Sequence, residues 1–130
     1  MKAVVLDVDE QDGMIIEFTH VVDYSLEQSL EFLQGAVGGY IEGIYFRDGG
    51  VGYLNEEGKL NGLQINRAAT ILAQQQQAIM PEDFIAGPLV LCGTKGEYND
   101  EPLEWMLALV SADDHQVGVA REAERIGRDV

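Results

Sequence analysis

Two kinds of hydrophobic pattern alternate along the chain. Runs rich in β-branched, aromatic and other apolar residues predict strands, and they cover residues 2–8, 14–19, 40–47, 51–54 and 84–92. Apolar residues that recur every three or four positions predict helices, and they cover residues 26–34, 67–77 and 100–110. The element order, ββαββαβ with added C-terminal helices, predicts an α+β fold: a small, mostly antiparallel sheet of about five strands with the helices on one face.

Short polar segments predict how neighbouring strands are connected. DEQDG at residues 9–13 ends in Asp-Gly, and DGG occupies residues 48–50, so each pair of flanking strands is predicted to form a β-hairpin. The first segment does not fit a calcium loop, because Asp12 stands where such a loop needs its glycine. Pro88 cannot donate to a ladder, which favours an edge strand, a bulge or a strand that begins at Leu89.

Capping residues predict where the helices begin and end. SLEQ at residues 25–28 has the spacing of a capping box, and Gly35 is placed to end that first helix. Asn66 suits the N-cap of the second helix. A further helix is predicted over residues 115–127. The apolar stripes of the first three helices are, in order, Leu26, Leu30 and Leu33; Ala69, Leu72 and Ala73; and Leu103, Met106, Leu107 and Val110.

Length and composition predict one folded domain. The chain has 130 residues, 46% of them hydrophobic, and a domain of this size buries about two thirds of its unfolded surface. Cys92 is the one cysteine, and its apolar setting predicts a buried small hydrophobe rather than a nucleophile. The first residues lack the design of a signal peptide, and no apolar run reaches the roughly 20 residues that span a bilayer. We therefore expect a cytoplasmic protein that does not associate with membranes.

The formal net charge of −15, from 23 acidic and 8 basic residues, narrows the classes of partner. Nucleic-acid binding relies on Lys and Arg to displace phosphate counterions, so we expect no direct contact with nucleic acid and none with an anionic membrane. Three explanations of the acidity stay open: solubility, adaptation to high salt, and mimicry of a polyanion that occupies a basic site on a nucleic-acid-binding partner.

Residues 38–67 hold the densest group of candidate functional side chains. Gly38 and Gly39 precede a strand, where they supply a turn or let the backbone approach a ligand. Lys59 and Arg67 are the clustered cations of this stretch and, with the helix N-terminus beside them, suit a phosphate or a carboxylate. The candidate ligand-binding residues are Gly38, Gly39, Tyr40, Asn55, Glu56, Glu57, Lys59, Asn66 and Arg67.

Local structure explains part of the same stretch without any ligand. Asn55 is expected to begin a turn by bonding its own backbone, and Gly58 is a residue that tolerates a left-handed φ within it. Leu60 and Leu63 are expected to anchor the loop on the core. On this interpretation Lys59 is solvated and the asparagines are turn and cap residues.

Catalytic and metal chemistry have less support. Glu56 and Glu57 are adjacent and point to opposite sides, so a paired-carboxylate mechanism needs a partner such as Glu42 or Asp48. The two histidines lie at opposite ends of the chain, with no third ligand at metal-binding spacing. We expect no metal, no cofactor and no catalytic set, and a small enzyme that uses Glu56 or Glu57 is the alternative.

Five sequence blocks occur in a fairly specific order. They are VGGYIE at residues 37–42, NEEGKL at 55–60, GL at 62–63, NRAA at 66–69 and IAGPLV at 85–90. In this combination the chain resembles the DUF3846 domain, a small domain without an assigned activity that occurs in phages, plasmids and other mobile elements of bacteria and archaea. The resemblance covers residues 1–97, which leaves residues 98–130 as a helical extension packed on the domain or tailing from it.

The resemblance implies a mobile-element setting, in which such domains accompany genes that counter host defence, and it supplies no catalytic residues. Together with the charge, it predicts a non-catalytic, highly acidic binding protein in the cytoplasm of the host cell. Such a protein would antagonise a host system, either by presenting an acidic surface to a basic host protein or by sequestering a small anionic ligand. An accessory protein of a halophile, whose acidity reflects only salt, is a further alternative. Exposed edge strands are compatible with a homodimer.

Overall fold

The computed structural model describes the backbone of residues 1–117 and the side-chain surroundings of residues 1–110. The strands are β1 (Lys2–Gln11), β2 (Met14–Asp23), β3 (Ile41–Tyr45), β4 (Val51–Asn55), β5 (Leu89–Lys95) and β6 (Tyr98–Asp100). The helices are α1 (Ser29–Val37), α2 (Arg67–Gln75) and α3 (Glu104–Val117), with a short 3-10 turn at Leu26–Gln28 before α1. The α+β class and the mostly antiparallel sheet are confirmed, and the described residues form six strands rather than about five.

The β1–β2 hairpin confirms the first turn prediction. Gln11 lies opposite Met14, so the connection is a two-residue turn of Asp12 and Gly13. Both have positive φ, 52° and 81°, as a primed hairpin turn requires. The strands run to Gln11 and Asp23, further than the apolar runs predict, because the pairing continues into polar positions.

The sheet order is β2-β1-β5-β4-β3, with β6 paired to β5 alone. β5 is therefore central, and its residues Leu89, Val90, Leu91 and Cys92 are fully buried. Pro88 immediately precedes this strand, where its missing N–H removes no ladder bond, so the edge and bulge alternatives are wrong and the strand begins at Leu89.

Helices cover both faces of the sheet, and the prediction that they share one face is not confirmed. Alternate residues of β1 point to opposite sides. Ala3 and Val5 pack in a cluster with Leu33 and Val37 of α1. On the other side, Val4 and Leu6 pack in a cluster with α2 residues Ala69, Leu72 and Ala73 and with Met106 of α3. The central strands are apolar at successive positions, so both of their faces need covering.

The predicted ends of the first helix are wrong. Ser25 makes no side-chain capping bond, and α1 begins at Ser29 after the 3-10 turn. Gly35 lies inside α1, which ends with Gly38 in the left-handed conformation (φ 81°). Of the predicted stripe, Leu33 is buried with Val37, whereas Leu26 and Leu30 are more than half exposed. Burial of Val37 four residues after Leu33 explains why the helix continues past Gly35.

The C-terminal part also differs from the prediction. Residues 93–95, which follow the predicted strand over 84–92, extend β5 and form the hairpin that leads to β6. This pairing delays α3 to Glu104, four residues after its predicted start. The further helix predicted over residues 115–127 is continuous with α3 as far as Val117, and its remainder lies outside the described residues. Over residues 1–117 no helix is long and apolar enough to cross a membrane.

Candidate functional site

The structure separates the nine candidate residues into three places. Gly38, Gly39, Tyr40, Asn55 and Glu57 line one open pocket, together with Gln34 and Asn61. Asn66 is fully buried beneath the start of α2. Lys59, Glu56 and Arg67 lie on the surface and do not line the pocket.

The pocket forms where α1 ends and β3 begins. The N–H groups of Gly38 and Gly39 both donate to the carbonyl of Gln34, at 2.8 and 3.1 Å. These two hydrogen bonds to one carbonyl end the helix and turn the chain toward Tyr40. The prediction that the two glycines supply a turn is therefore confirmed. The turn leaves Tyr40 69% exposed.

Asn55 joins the end of α1 to the loop after β4. Its Nδ2 donates to the carbonyl of Val37 at 3.0 Å, and its Oδ1 accepts from the N–H of Glu57 at 2.8 Å. The residue is 4% exposed, so its side chain is used for structure, as the turn interpretation predicts. A Cβ at Gly39 would lie 2.8 Å from this Nδ2, so only glycine lets the two segments approach so closely.

The loop that follows Asn55 forms the other wall of the pocket. Gly58 donates to the carbonyl of Asn55, and Asn61 donates to the carbonyl of Glu57. Gly58 does not use the left-handed φ that it would tolerate; glycine is needed there because a Cβ would lie 2.7 Å from the carbonyl oxygen of Ala86. Leu60 is 85% exposed and does not anchor the loop, contrary to prediction.

The pocket has a volume of about 340 Å³, at the low end of the roughly 300–1,000 Å³ typical of small-molecule sites. Glu57 is the acidic residue in its lining, and no lysine or arginine among the described residues contributes to it. Gln34 and Asn61 were missed by sequence reasoning. They line the same pocket because α1 and the loop after β4 pack side by side, and no local sequence signal reports that packing.

Asn66 caps α2, as predicted, and also bonds across the molecule. Its Oδ1 accepts from the N–H of Ala69 at 3.0 Å. Its Nδ2 donates to the carbonyls of Leu6 and Gly87, both at 3.0 Å. These bonds use both N–H groups and the oxygen of the Asn66 amide. Asn66 therefore connects α2 to β1 and to the residue before Pro88, and its side chain is not available to a ligand.

A carboxylate of the protein itself occupies the N-terminus of α2. Oε2 of Glu17, on β2, accepts from the N–H of Arg67 at 3.0 Å, and Oε1 accepts from the N–H of Ala68 at 3.3 Å. Together with the Asn66 cap, this satisfies the donors that an anion would need. The prediction that a phosphate or carboxylate ligand binds at this helix end is therefore unsupported by the geometry.

Lys59 is paired rather than solvated. Its ammonium forms an ion pair with Asp83 and lies 4.7 Å from the centre of the Phe84 ring. The pKa of the Asp83 carboxyl lies below its ordinary value, mainly because of the hydrogen bond from Lys59 and to a smaller extent because of the one from the N–H of Phe84. Arg67 is exposed. Lys59 and Arg67, which were expected to bind one anion together, therefore have different surroundings.

The carboxylates do not form a catalytic pair. Asp48 lies in the turn of the β3–β4 hairpin, whereas Glu56 and Glu57 follow the other end of β4, about 15 Å away along five strand residues. Glu42 follows Ile41, which packs on the α1 side, so Glu42 points to the opposite face of the sheet. Exposed single carboxylates lack the positioned partner that general acid–base catalysis needs.

Cys92 is fully buried, as predicted, and burial raises the pKa of its thiol to about 11. His20 lies 3.3 Å from a carboxylate oxygen of Asp7. Among the residues whose side chains are described, no three His, Cys, Asp or Glu residues are grouped as a metal site.

Fold and site together define a small α+β protein with an open polar pocket at a helix–sheet junction. The family model described as "Domain of unknown function (DUF3846)" matches residues 1–108, so the chain belongs to this family and the resemblance is confirmed. The match continues past residue 97 through β6 and into α3. Comparisons with curated proteins and with solved structures found no match.

Proposed function

We propose that this chain is a non-catalytic binding protein of a mobile element, whose acidic surface occupies the basic nucleic-acid site of a host protein and so antagonises a host system. The observation that carries the proposal is the distribution of charge. Residues 1–117 include 20 of the 23 acidic residues and 5 of the 8 basic ones, so they hold the whole excess of 15 negative charges. The mobile-element setting comes from the family resemblance.

Ion pairing leaves little positive charge to offset these acids. Lys2 pairs with Asp23, and Arg47 pairs with Asp48. Lys59 likewise forms an ion pair with Asp83. Three of the five basic residues in residues 1–117 are thus paired with the protein's own carboxylates, and the remaining acids stay in large excess. A basic partner would meet this excess of negative charge, which favours rapid, salt-sensitive association.

The outer half of the β1–β2 hairpin concentrates this charge. β1 pairs with β5 only at residues 4–6, so the hairpin extends beyond its neighbour in the sheet. Residues 7–12 carry four carboxylates, three on β1 and Asp12 in the turn, over about 17 Å of chain, or one per roughly 4–6 Å. A single strand of DNA carries one charge per about 3.4 Å of axis, so the two densities are similar in scale.

The same geometry disfavours sequestration of a small anion. The N-terminus of α2 is capped by Glu17 and Asn66, and Lys59 forms an ion pair with Asp83. A thermal-shift screen with nucleotides and inorganic phosphate is expected to leave the melting temperature unchanged. A stabilisation that disappears in Arg67→Ala would instead establish the anion-binding function.

Direct binding tests the proposal itself. Immobilised full chain is presented with a panel of purified basic DNA-binding proteins at 50, 150 and 300 mM salt. We expect at least one to bind, with affinity that falls steeply as salt rises and is the same for Arg67→Ala. If no member binds at 50 mM salt, the proposal is rejected.

A further inference from the structure

The pocket at the end of α1 offers acceptors to a ligand and few free donors. The backbone N–H groups of Gly38, Gly39 and Asn61 already donate to carbonyls within the protein, and that of Glu57 donates to Asn55 Oδ1. Asn55 Nδ2 is likewise spent on the carbonyl of Val37. An anion would therefore find no converging backbone amides of the kind that bind phosphate.

The side chains around the opening suit a cation. Glu57 supplies an exposed carboxylate, and the Tyr40 ring, which lines the same pocket, supplies a π face. Gln34 and Asn61 can each turn an amide oxygen toward a bound N–H group. Lys59, in the same loop, is held by Asp83 and Phe84 and so does not compete for Glu57.

We propose that this pocket binds the guanidinium or ammonium group of a basic side chain projecting from a partner protein. The inference rests on the proposed function and assigns it a specific contact point. Glu57 pairs with the charge, Tyr40 covers the flat or alkyl part of the side chain, and the two amides accept its outer N–H groups.

The openness of the pocket favours a side chain over a free small cation. Tyr40 is 69% exposed, so a free ligand would keep much of its surface in water. Small-molecule sites typically bury about 70–90% of the ligand surface. A side chain that arrives on a partner needs less enclosure, because the contacts around the pocket contribute the remaining affinity.

Amide chemical shifts of the full chain locate the site. The probe is N-acetyl-arginine-N-methylamide; the matched citrulline derivative, which is neutral but nearly the same shape, and inorganic phosphate are the controls. We expect shifts confined to residues near 34–41 and 55–61 with the arginine probe alone. Equal shifts with citrulline, or shifts elsewhere, would overturn the assignment.

Paired variants separate the pocket from the general acidity. Glu57→Gln and Glu56→Gln change the net charge equally at neighbouring exposed positions, but only Glu57 lines the pocket. For a labelled tri-arginine peptide we expect about tenfold weaker binding for Glu57→Gln and less than twofold for Glu56→Gln. Tyr40→Leu should weaken binding about threefold, whereas Tyr45→Leu, at a tyrosine of similar exposure at the other end of β3, should not.

The outcomes distinguish the two proposals. Equal losses for both glutamate variants, with melting temperatures unchanged, would overturn the pocket and leave the acidic-surface function standing. Absence of binding by the unaltered chain to the peptide and to the whole basic panel would reject both. Free arginine that binds as tightly as the peptide would overturn the assignment to a partner side chain.

Discussion

Asn66 illustrates how far a single residue can be interpreted from sequence. Its place before RAAT predicts an N-cap, and the bond to Ala69 confirms it. Its two other bonds reach Leu6, 60 positions earlier, and Gly87, 21 positions later. These depend on the packed sheet, so a pattern confined to neighbouring residues could not predict that the cap is also a tie between strands.

Removing this side chain should be costly. Asn66→Ala leaves two buried carbonyls and one N–H without a partner, and we expect a loss of about 3–5 kcal/mol in the free energy of unfolding. Asn66→Asp keeps the acceptor for Ala69 and loses both donors, so it should be nearly as destabilising. Urea titration measures the losses.

Asn61→Ala is the control for Asn66, because Asn61 is exposed and should change stability by less than about 0.5 kcal/mol. Equal stability of the Asn66 and Asn61 variants would show that the bonds of Asn66 contribute nothing.

At the scale of elements, α2 is held at both ends by residues distant in sequence. Glu17 meets its N-terminus from β2. Gln76, just past its C-terminus, donates to the carboxylate of Asp48 at 3.0 Å and accepts from the N–H of Asp48 at 2.9 Å. The helix itself was predictable from its apolar spacing, but its partners were not, because both contacts join residues more than 25 positions apart.

The contact between Glu17 and α2 should be measurable. Glu17→Gln removes the charge that interacts with the helix dipole and weakens the bonds to the N–H groups of Arg67 and Ala68. We expect a loss of about 0.3–1 kcal/mol, reduced at high salt. Glu10→Gln, on the same hairpin, controls for net charge and should be neutral or slightly stabilising. A loss as large in Glu10→Gln would contradict the capping role of Glu17.

The link at the other end of α2 should depend on pH. The hydrogen bond from Gln76, and then that from Arg47, lower the pKa of Asp48 below its ordinary value of 3.8. A carboxyl with a lowered folded-state pKa stabilises the protein above its unfolded pKa and loses that contribution as pH falls through the folded pKa. Asp48→Asn should therefore be less stable than the unaltered chain at pH 6.

That difference should shrink as the pH falls below about 4, first because Asp48 becomes protonated in the unfolded state and then, at lower pH, because it becomes protonated in the folded state as well. Thermal melts between pH 2.5 and 6 measure it. Glu82→Gln, at an exposed position, is the control and should show no such trend. A difference between Asp48→Asn and the unaltered chain that stays constant over this range would contradict the proposed role of Asp48.

For the whole molecule, local patterns predicted class and strand pairs better than arrangement. The two hairpins and the α+β class followed from the apolar runs, the helical spacing and the turn residues. The assignment of helices to both faces and the pairing of β1 with β5 did not, because each joins segments that are distant in the sequence. The pocket forms where α1 packs beside the loop after β4. Gly38, Gly39 and Tyr40 belong to a sequence block that marks them as candidates, but Gln34 joins them only through this packing, so it was not predictable.

Net charge makes a prediction at the same scale. Self-repulsion among the acids should be screened once the Debye length falls from about 10 Å at 0.1 M salt toward 3 Å at 1 M. We expect the melting temperature to rise mainly below about 0.3 M KCl and then to level off. A steady rise into the molar range would instead favour adaptation to high salt.

The most direct test of the central claim is competition with DNA for one basic partner. A DNA-binding protein that binds the chain is first loaded with a fluorescent duplex, and the anisotropy of the duplex is followed as the chain is added. If the chain occupies the nucleic-acid site, it will displace the duplex completely, and Glu57→Gln will need a higher concentration than Glu56→Gln. A stable ternary complex, with the duplex still bound at saturating chain, would contradict the account.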